Sequence, residues 1–130
     1  MFNFRKQSGT ELFEKGKTYH QVQKYNKSLS YFVKAHETGH VESRNYIGTI
    51  YYNGLGLTQD YSTALFWFKL AGENGDAESQ RKVGEMYYDG KVGGTPDYQK
   101  VMEWFYKSVN NGNFKACKLI GLVFLKEKER

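Results

Sequence analysis

The residues that come closest to a catalytic arrangement are His36-Glu37-Thr38-Gly39-His40. In H-E-x-x-H an unbroken helix brings two imidazoles onto one face to hold zinc, with the glutamate as general base. That chemistry would make the chain a zinc-dependent hydrolase. The string suits it poorly, because Gly39 falls where a helix is expected to end, which would carry His40 off the face that His36 occupies. No third ligand stands in register, so no catalytic residue, metal or cofactor is assigned. Gly54-Leu55-Gly56 and the stretch from Gly90 to Gly94 lack the Lys-Ser/Thr and preceding strand of a phosphate-binding loop; they read as loop punctuation. Cys117 is alone, which excludes an internal disulfide, a cysteine zinc cluster and a C-x-x-C redox pair; a small buried residue is expected there. Asn26-Lys27-Ser28 matches the glycosylation sequon, but no secretory signal precedes it, and the match reads as chance.

Composition narrows the elements that must hold these residues. A chain of 130 residues suits one domain, which buries roughly two-thirds of the surface its unfolded form exposes. Hydrophobic residues at 39% and charged residues at 25% are near the globular average, so a folded chain is expected despite a mean hydropathy of −0.72. Eleven Tyr, nine Phe and two Trp against one Pro suggest helices packed through large rings. Arg5 and Lys6 arrive before an apolar leader segment of ~7 residues could begin, and no run approaches the ~20 apolar residues of a membrane span. With a lone cysteine, a reducing, cytoplasmic setting is expected. The net charge of +5 would allow a basic adaptor for RNA or an anionic surface. Apart from Arg5/Lys6 and the tail Lys126, Lys128 and Arg130, however, the cations are scattered among acids, so no obligate nucleic-acid partner is expected.

The chain repeats. Gly39, Gly75 and Gly112 stand 36 and 37 residues apart, and Gly48, Gly84 and Gly121 stand 36 and 37 apart. Tyr51/Tyr87, Tyr52/Tyr88 and Gly54/Gly90 keep the offset of 36, whereas Asp60/Asp97, Trp67/Trp104, Phe68/Phe105 and Asn74/Asn111 take 37. One residue is therefore inserted in a glycine-rich loop between two conserved-length segments, which is how a repeated structural unit drifts. Within each unit Ile47, Ile50 and Tyr51 match Val83, Met86 and Tyr87, then Ile120, Val123 and Phe124, at the i, i+3, i+4 spacing of one helix face. Tyr61, Ala64, Leu65, Phe68 and Ala71 give a second helix the same rhythm. Asp60 and Asp97 are placed to cap second helices, Asp76 and Asn113 to cap first helices, and Ser8 with Glu11 reads as a capping box. Gly39, Gly75 and Gly112 sit where helices end with positive φ. Gly48, Gly84 and Gly121 lie mid-helix, where glycine costs ~1 kcal/mol against alanine, so close approach by a neighbouring helix is the expected compensation. The first unit is a degenerate copy carrying Gly16, Tyr19, Tyr25, Tyr31, Phe32, Ala35 and Gly39, with a shorter loop.

Asn53-Gly-Leu-Gly-Leu-Thr-Gln-Asp-Tyr61, followed by Ala64, Trp67-Phe68, Ala71 and Asn74-Gly75, resembles the Sel-one-like repeat, a tetratricopeptide relative with a longer glycine-bearing loop. The third unit is similar, with Val101 and Ser108 in place of alanines, which predicts looser packing there. The resemblance covers about residues 10 to 125. It implies an all-α, short right-handed α/α solenoid of about three and a half helix pairs: an extension over 1–9, units at about 10–39, 40–75 and 76–112, and a capping helix over 113–127. It also implies a non-catalytic scaffold or adaptor that binds a protein or peptide. Some bacterial members of this family pair cysteines and have been associated with β-lactam binding; this chain lacks those cysteines, and the activity is not carried over.

The resemblance further implies that the first helices line a concave side. With Ile47 at 0° and about 100° per residue, Asn45, Thr49 and Tyr52 fall at about 160°, 200° and 140°, away from the core side. Their counterparts are Phe13, Lys17 and His20 in the first unit, Arg81, Glu85 and Tyr88 in the third, and Lys118, Leu122 and Leu125 in the last helix. These twelve residues are the expected partner-binding face, with aromatic anchors and polar Lys, Asn and Arg between them. Lys17, Asn45 and Arg81 supply only part of the carboxylate clamp known in some tetratricopeptide domains. Self-association through Leu122 and Leu125 is the alternative use of the surface.

Overall fold

The computed structural model describes residues 6–129; residues 1–5, on which the leader reading rests, and Arg130 lie outside the described residues. Seven helices and no strand run through the described residues: α1 (Gly9–Gln21), α2 (Tyr25–Glu37), α3 (Ser43–Asn53), α4 (Tyr61–Glu73), α5 (Ala77–Tyr88), α6 (Tyr98–Asn110) and α7 (Lys115–Lys128). Each helix packs chiefly on the one before and the one after it. The chain is thus an all-α solenoid of helix pairs, α1/α2, α3/α4 and α5/α6, followed by α7.

The punctuation follows the side chains. Ser8, Asp60, Asp76 and Asp97 each stand at an N-cap, where the side-chain oxygen accepts the backbone N–H three residues on, at 3.1, 3.1, 2.9 and 3.2 Å. Asn113 Oδ1 accepts from the Lys115 N–H at 3.1 Å as α7 begins. At the other ends Gly39, Gly75 and Gly112 hold φ of 91°, 93° and 97°. The residue after each glycine donates its N–H to the carbonyl five positions back: His40 to Ala35, Asp76 to Ala71 and Asn113 to Ser108. This six-to-one closure satisfies a carbonyl that the helix end would leave bare.

Within each pair the first helix offers a glycine and the second a phenylalanine. A Cβ built on Gly16 would lie 2.6 Å from the Phe32 ring and one on Gly48 2.8 Å from Phe68; Gly84 against Phe105 is closer still. The rings therefore sit directly on bare backbone, which is the close approach that mid-helix glycine permits. Phe32, Phe68 and Phe105 are buried. Three core clusters result, around Phe32/Ile47/Ile50, around Phe68/Val83/Met86 and around Val101/Phe105/Val123. Tyr51 touches the first two and Tyr87 the last two, so equivalent tyrosines stitch the units together. Val101 and Ser108, the third unit's replacements for alanine, are fully buried, and Ser108 Oγ donates to the Ala77 carbonyl at 2.7 Å, tying α6 to α5. The expected looseness gives way to an added hydrogen bond.

Candidate partner-binding face

The twelve residues expected on one open wall divide into two groups. Phe13 is a correction: it is buried at 4% exposure, stacked on the His40 ring at 4.4 Å and set edge-on to Tyr46 at 5.5 Å. The angular argument failed there because that side of α1 meets the next unit, while Lys15 and Thr18 are exposed on the other. His20 is half-buried against Tyr25 and Tyr46. In the middle units Asn45 Nδ2 donates to Ser79 Oγ at 2.7 Å and to Asp76 Oδ2 at 3.1 Å, both in the following unit. The Tyr52 ring lies against Tyr61 of its own second helix at 5.2 Å and beneath Lys82 Nζ of the next first helix. Burial pushes the Tyr52 phenol up, against the opposing pull of Lys91. Tyr88 lies against Tyr98, and Arg81 pairs with Glu85. Asn45, Tyr52 and Tyr88 thus serve largely as joints, half-buried between helices, while Arg81 is held by an ion pair within α5.

The other group is more open. Lys17, Thr49, Glu85 and Leu122 occupy one repeat position on α1, α3, α5 and α7, the first three half-buried and Leu122 exposed. Lys17 bridges Glu14 at 3.1 Å and lies over the Phe13 ring; Thr49 Oγ1 donates to the Asn45 carbonyl. Tyr46 and Lys82, which the angular argument did not select, border the same row and are also half-buried. Their signal in the sequence was one helical step from the chosen column.

The histidine string is structural. α2 ends at Glu37, and Gly39 turns the chain, so the two rings serve different neighbours. His36 Nδ1 accepts from Arg44 Nε at 3.2 Å and its ring meets Trp67 edge-on, while His40 stacks on Phe13. Burial, helped by Arg44, lowers the His36 pKa; burial alone lowers that of His20. Among the described residues no three His, Cys, Asp or Glu side chains gather where they could hold a metal. The lysines are also committed locally: Lys15, Lys17, Lys27, Lys34, Lys82, Lys91, Lys100 and Lys107 each place Nζ over an aromatic ring, at 4.5 to 5.7 Å. Cation–π pairing on the protein's own rings disperses the basic charge.

α7 departs from expectation most. Cys117, expected to be buried, is exposed, as are Lys118, Leu122 and Leu125. The reason is that α7 buries only Ala116 and Val123, with Leu119 and Ile120 half-buried beside them, while its opposite side meets no helix among the described residues. Among the described residues no helix is long and apolar enough to cross a membrane.

Comparison with known proteins agrees with this architecture. A family model described as the Sel1 repeat matches residues 41–76 and 77–113. No curated protein sequence matches the chain. Among solved structures, the Sel1 repeat protein from Oxalobacter formigenes superposes with a TM-score of 0.79 at 22% identity, covering 88% of this chain and 48% of its own. The protein c5321, described as a protective antigen present in uropathogenic Escherichia coli strains and displaying an SLR fold, gives the same TM-score of 0.79 at 22% identity over 90% of this chain and 26% of its own. The chain spans about half and about a quarter of those two lengths. Because the two matched repeats take up more than half of its residues, this chain belongs to the Sel1 repeat family.

Proposed function

We propose that the chain is a non-catalytic protein–protein or peptide interaction module, a scaffold or adaptor working in the cytoplasm, that holds its partner along the row of first helices. Repeats of this family are generally protein-interaction scaffolds, which supports the broad reading. The observation that carries the narrower one is the row Lys17, Thr49, Glu85 and Leu122: one repeat position, four successive first helices, and side chains not fully buried on any of them. A lone cysteine supports the reducing compartment.

Thr49→Arg combined with Leu122→Glu would change the size and charge of this row without touching a core residue or an ion pair. Affinity capture from host extract should lose the proteins recovered with the unaltered chain, while circular dichroism and Tm stay the same. Equal recovery by both forms would remove the row from the binding site.

A further inference from the structure

The pair Asn-Gly stands three times at a helix end: Asn53-Gly54 closes α3, Asn74-Gly75 follows α4 and Asn111-Gly112 follows α6. In such a pair the glycine's backbone nitrogen can attack the asparagine Cγ, because no Cβ on the second residue shields it. The N–H gives its proton to hydroxide, the N–Cγ bond forms, and the side-chain nitrogen leaves as ammonia. Water then opens the resulting succinimide at one carbonyl or the other, leaving aspartate or isoaspartate. Water is the only co-reactant, and the amide has become an acid.

The three sites share this chemistry and differ in what restrains it. Gly54 is boxed in: a Cβ built on it would lie 3.0 Å from the Gln59 backbone nitrogen and 3.1 Å from the Leu57 carbonyl oxygen. Both ends of that loop are tied back to α3, Leu55 N–H to the Ile50 carbonyl and Asp60 N–H to that of Tyr51. Asn111 is restrained at the reacting group itself. Its Nδ2 donates to Gln80 Oε1 and to the Lys107 carbonyl, each at 3.0 Å. Asn74 has neither restraint. Its side chain is exposed and makes no hydrogen bond among the described residues, and nothing lies within 4 Å of the Cβ position of Gly75. The backbone does not separate Asn74 from Asn111, since Gly75 and Gly112 hold φ of 93° and 97° and donate to Gly72 and Val109 at 2.9 and 3.0 Å. The difference comes from the first helix. Arg44, the repeat counterpart of Gln80, turns to His36 Nδ1 and the Leu70 carbonyl, leaving Asn74 unheld.

We propose that Asn74 is the principal site of spontaneous deamidation among the described residues, and that its conversion loosens the joint between the second and third units. The turn that would change is the one that carries that joint. Asp76 N–H closes on the Ala71 carbonyl at 3.2 Å, while its carboxylate caps α5 and accepts from Asn45. Isoaspartate inserts a methylene inside that closure. Either product also sets a carboxylate at the C-terminal end of α4, where the helix dipole is negative. The inference is independent of what the row of first helices binds.

The folded chain is aged in mildly alkaline buffer and digested with trypsin, which separates the three sites into peptides 45–69, 70–81 and 108–115. Mass spectrometry with fragmentation then follows amide-to-acid conversion at each asparagine, and released ammonia gives an independent total. Asn74 should convert at least tenfold faster than Asn53 or Asn111, and in urea the three rates should draw within threefold of one another. Gln80→Ala should speed Asn111 at least threefold, with circular dichroism confirming that the variant is folded; the comparison within the unaltered chain decides the proposal even where it is not. The converted fraction, separated by its added negative charge, should melt at a lower Tm than the unconverted one. Equal rates at Asn74 and Asn111 in the folded chain would overturn the site, and so would a lead for Asn74 that persists in urea, which would assign it to sequence alone. A converted fraction with an unchanged Tm would overturn the effect on the joint.

Discussion

At the scale of single residues, the same amino acid in the same repeat position has opposite worth depending on what faces it. Gly48 and Gly84 sit under packed phenylalanine rings, so a methyl added at either must push a buried ring aside. Overpacking of this kind costs about 1–3 kcal/mol and exceeds the ~1 kcal/mol that alanine gains over glycine in a helix. Gly48→Ala and Gly84→Ala should therefore each lower stability in urea titration, with an unchanged m-value; a rise in midpoint would show that the rings have slack. These glycines were legible in the sequence from their spacing alone. The emptiness beside Gly121 was not, because an identical residue in an identical register gives no hint of whether a partner ring is present.

At the scale of elements, capping and joining converge on one carboxylate. Asp76 caps α5 through the Ser79 N–H and also accepts from Asn45 of α3, so one side chain both starts a helix and ties it to the preceding unit. Asp76→Ala should cost about 1 kcal/mol, the usual worth of an N-cap, or somewhat more for the lost Asn45 bond. Asp97→Ala, whose cap makes no inter-unit bond of that kind, is the matched control, and chemical denaturation of the two variants would compare them. Helix starts, stops and pairing could all be read from Asp, Gly and the apolar period, since those signals are local. The binding face could not be derived the same way. A helix inside a stack has its own companion, a preceding unit and a following unit, and one angular sector facing away from the first two still faces the third. That is why Asn45 and Tyr52 proved to be joints to the following unit, and why Phe13 went into the core.

For the whole molecule, the histidines give stability a direction with pH. Burial lowers the pKa of His20 and of His36 from 6.5 in the folded chain, so the unfolded chain binds protons more readily. Stability should then be level above about pH 6.5 and fall as pH drops below it, through the window between the ordinary value and the lowered ones. Protonating His36 Nδ1 would also remove the acceptor that Arg44 uses. Thermal unfolding between about pH 8 and 5 should show this decline, and His20→Asn with His36→Gln should flatten it; an equally steep curve in the double variant would assign the decline to other groups. The repeat made the fold legible at this scale, because each unit packs on its sequence neighbours and distant pairings need not be guessed. The α5–α6 connection carries a different consequence. Between Gly90 and Asp97 it holds one residue more than its counterpart between Gly54 and Asp60, yet Asp97 still caps α6 as Asp60 caps α4, and Phe105 still covers Gly84 as Phe68 covers Gly48. Gly93 and Gly94 both stand in open space with positive φ. A reporter or affinity tag spliced between them would ride on a loop whose length already differs between units without disturbing the helices on either side, leaving both chain ends free of any graft.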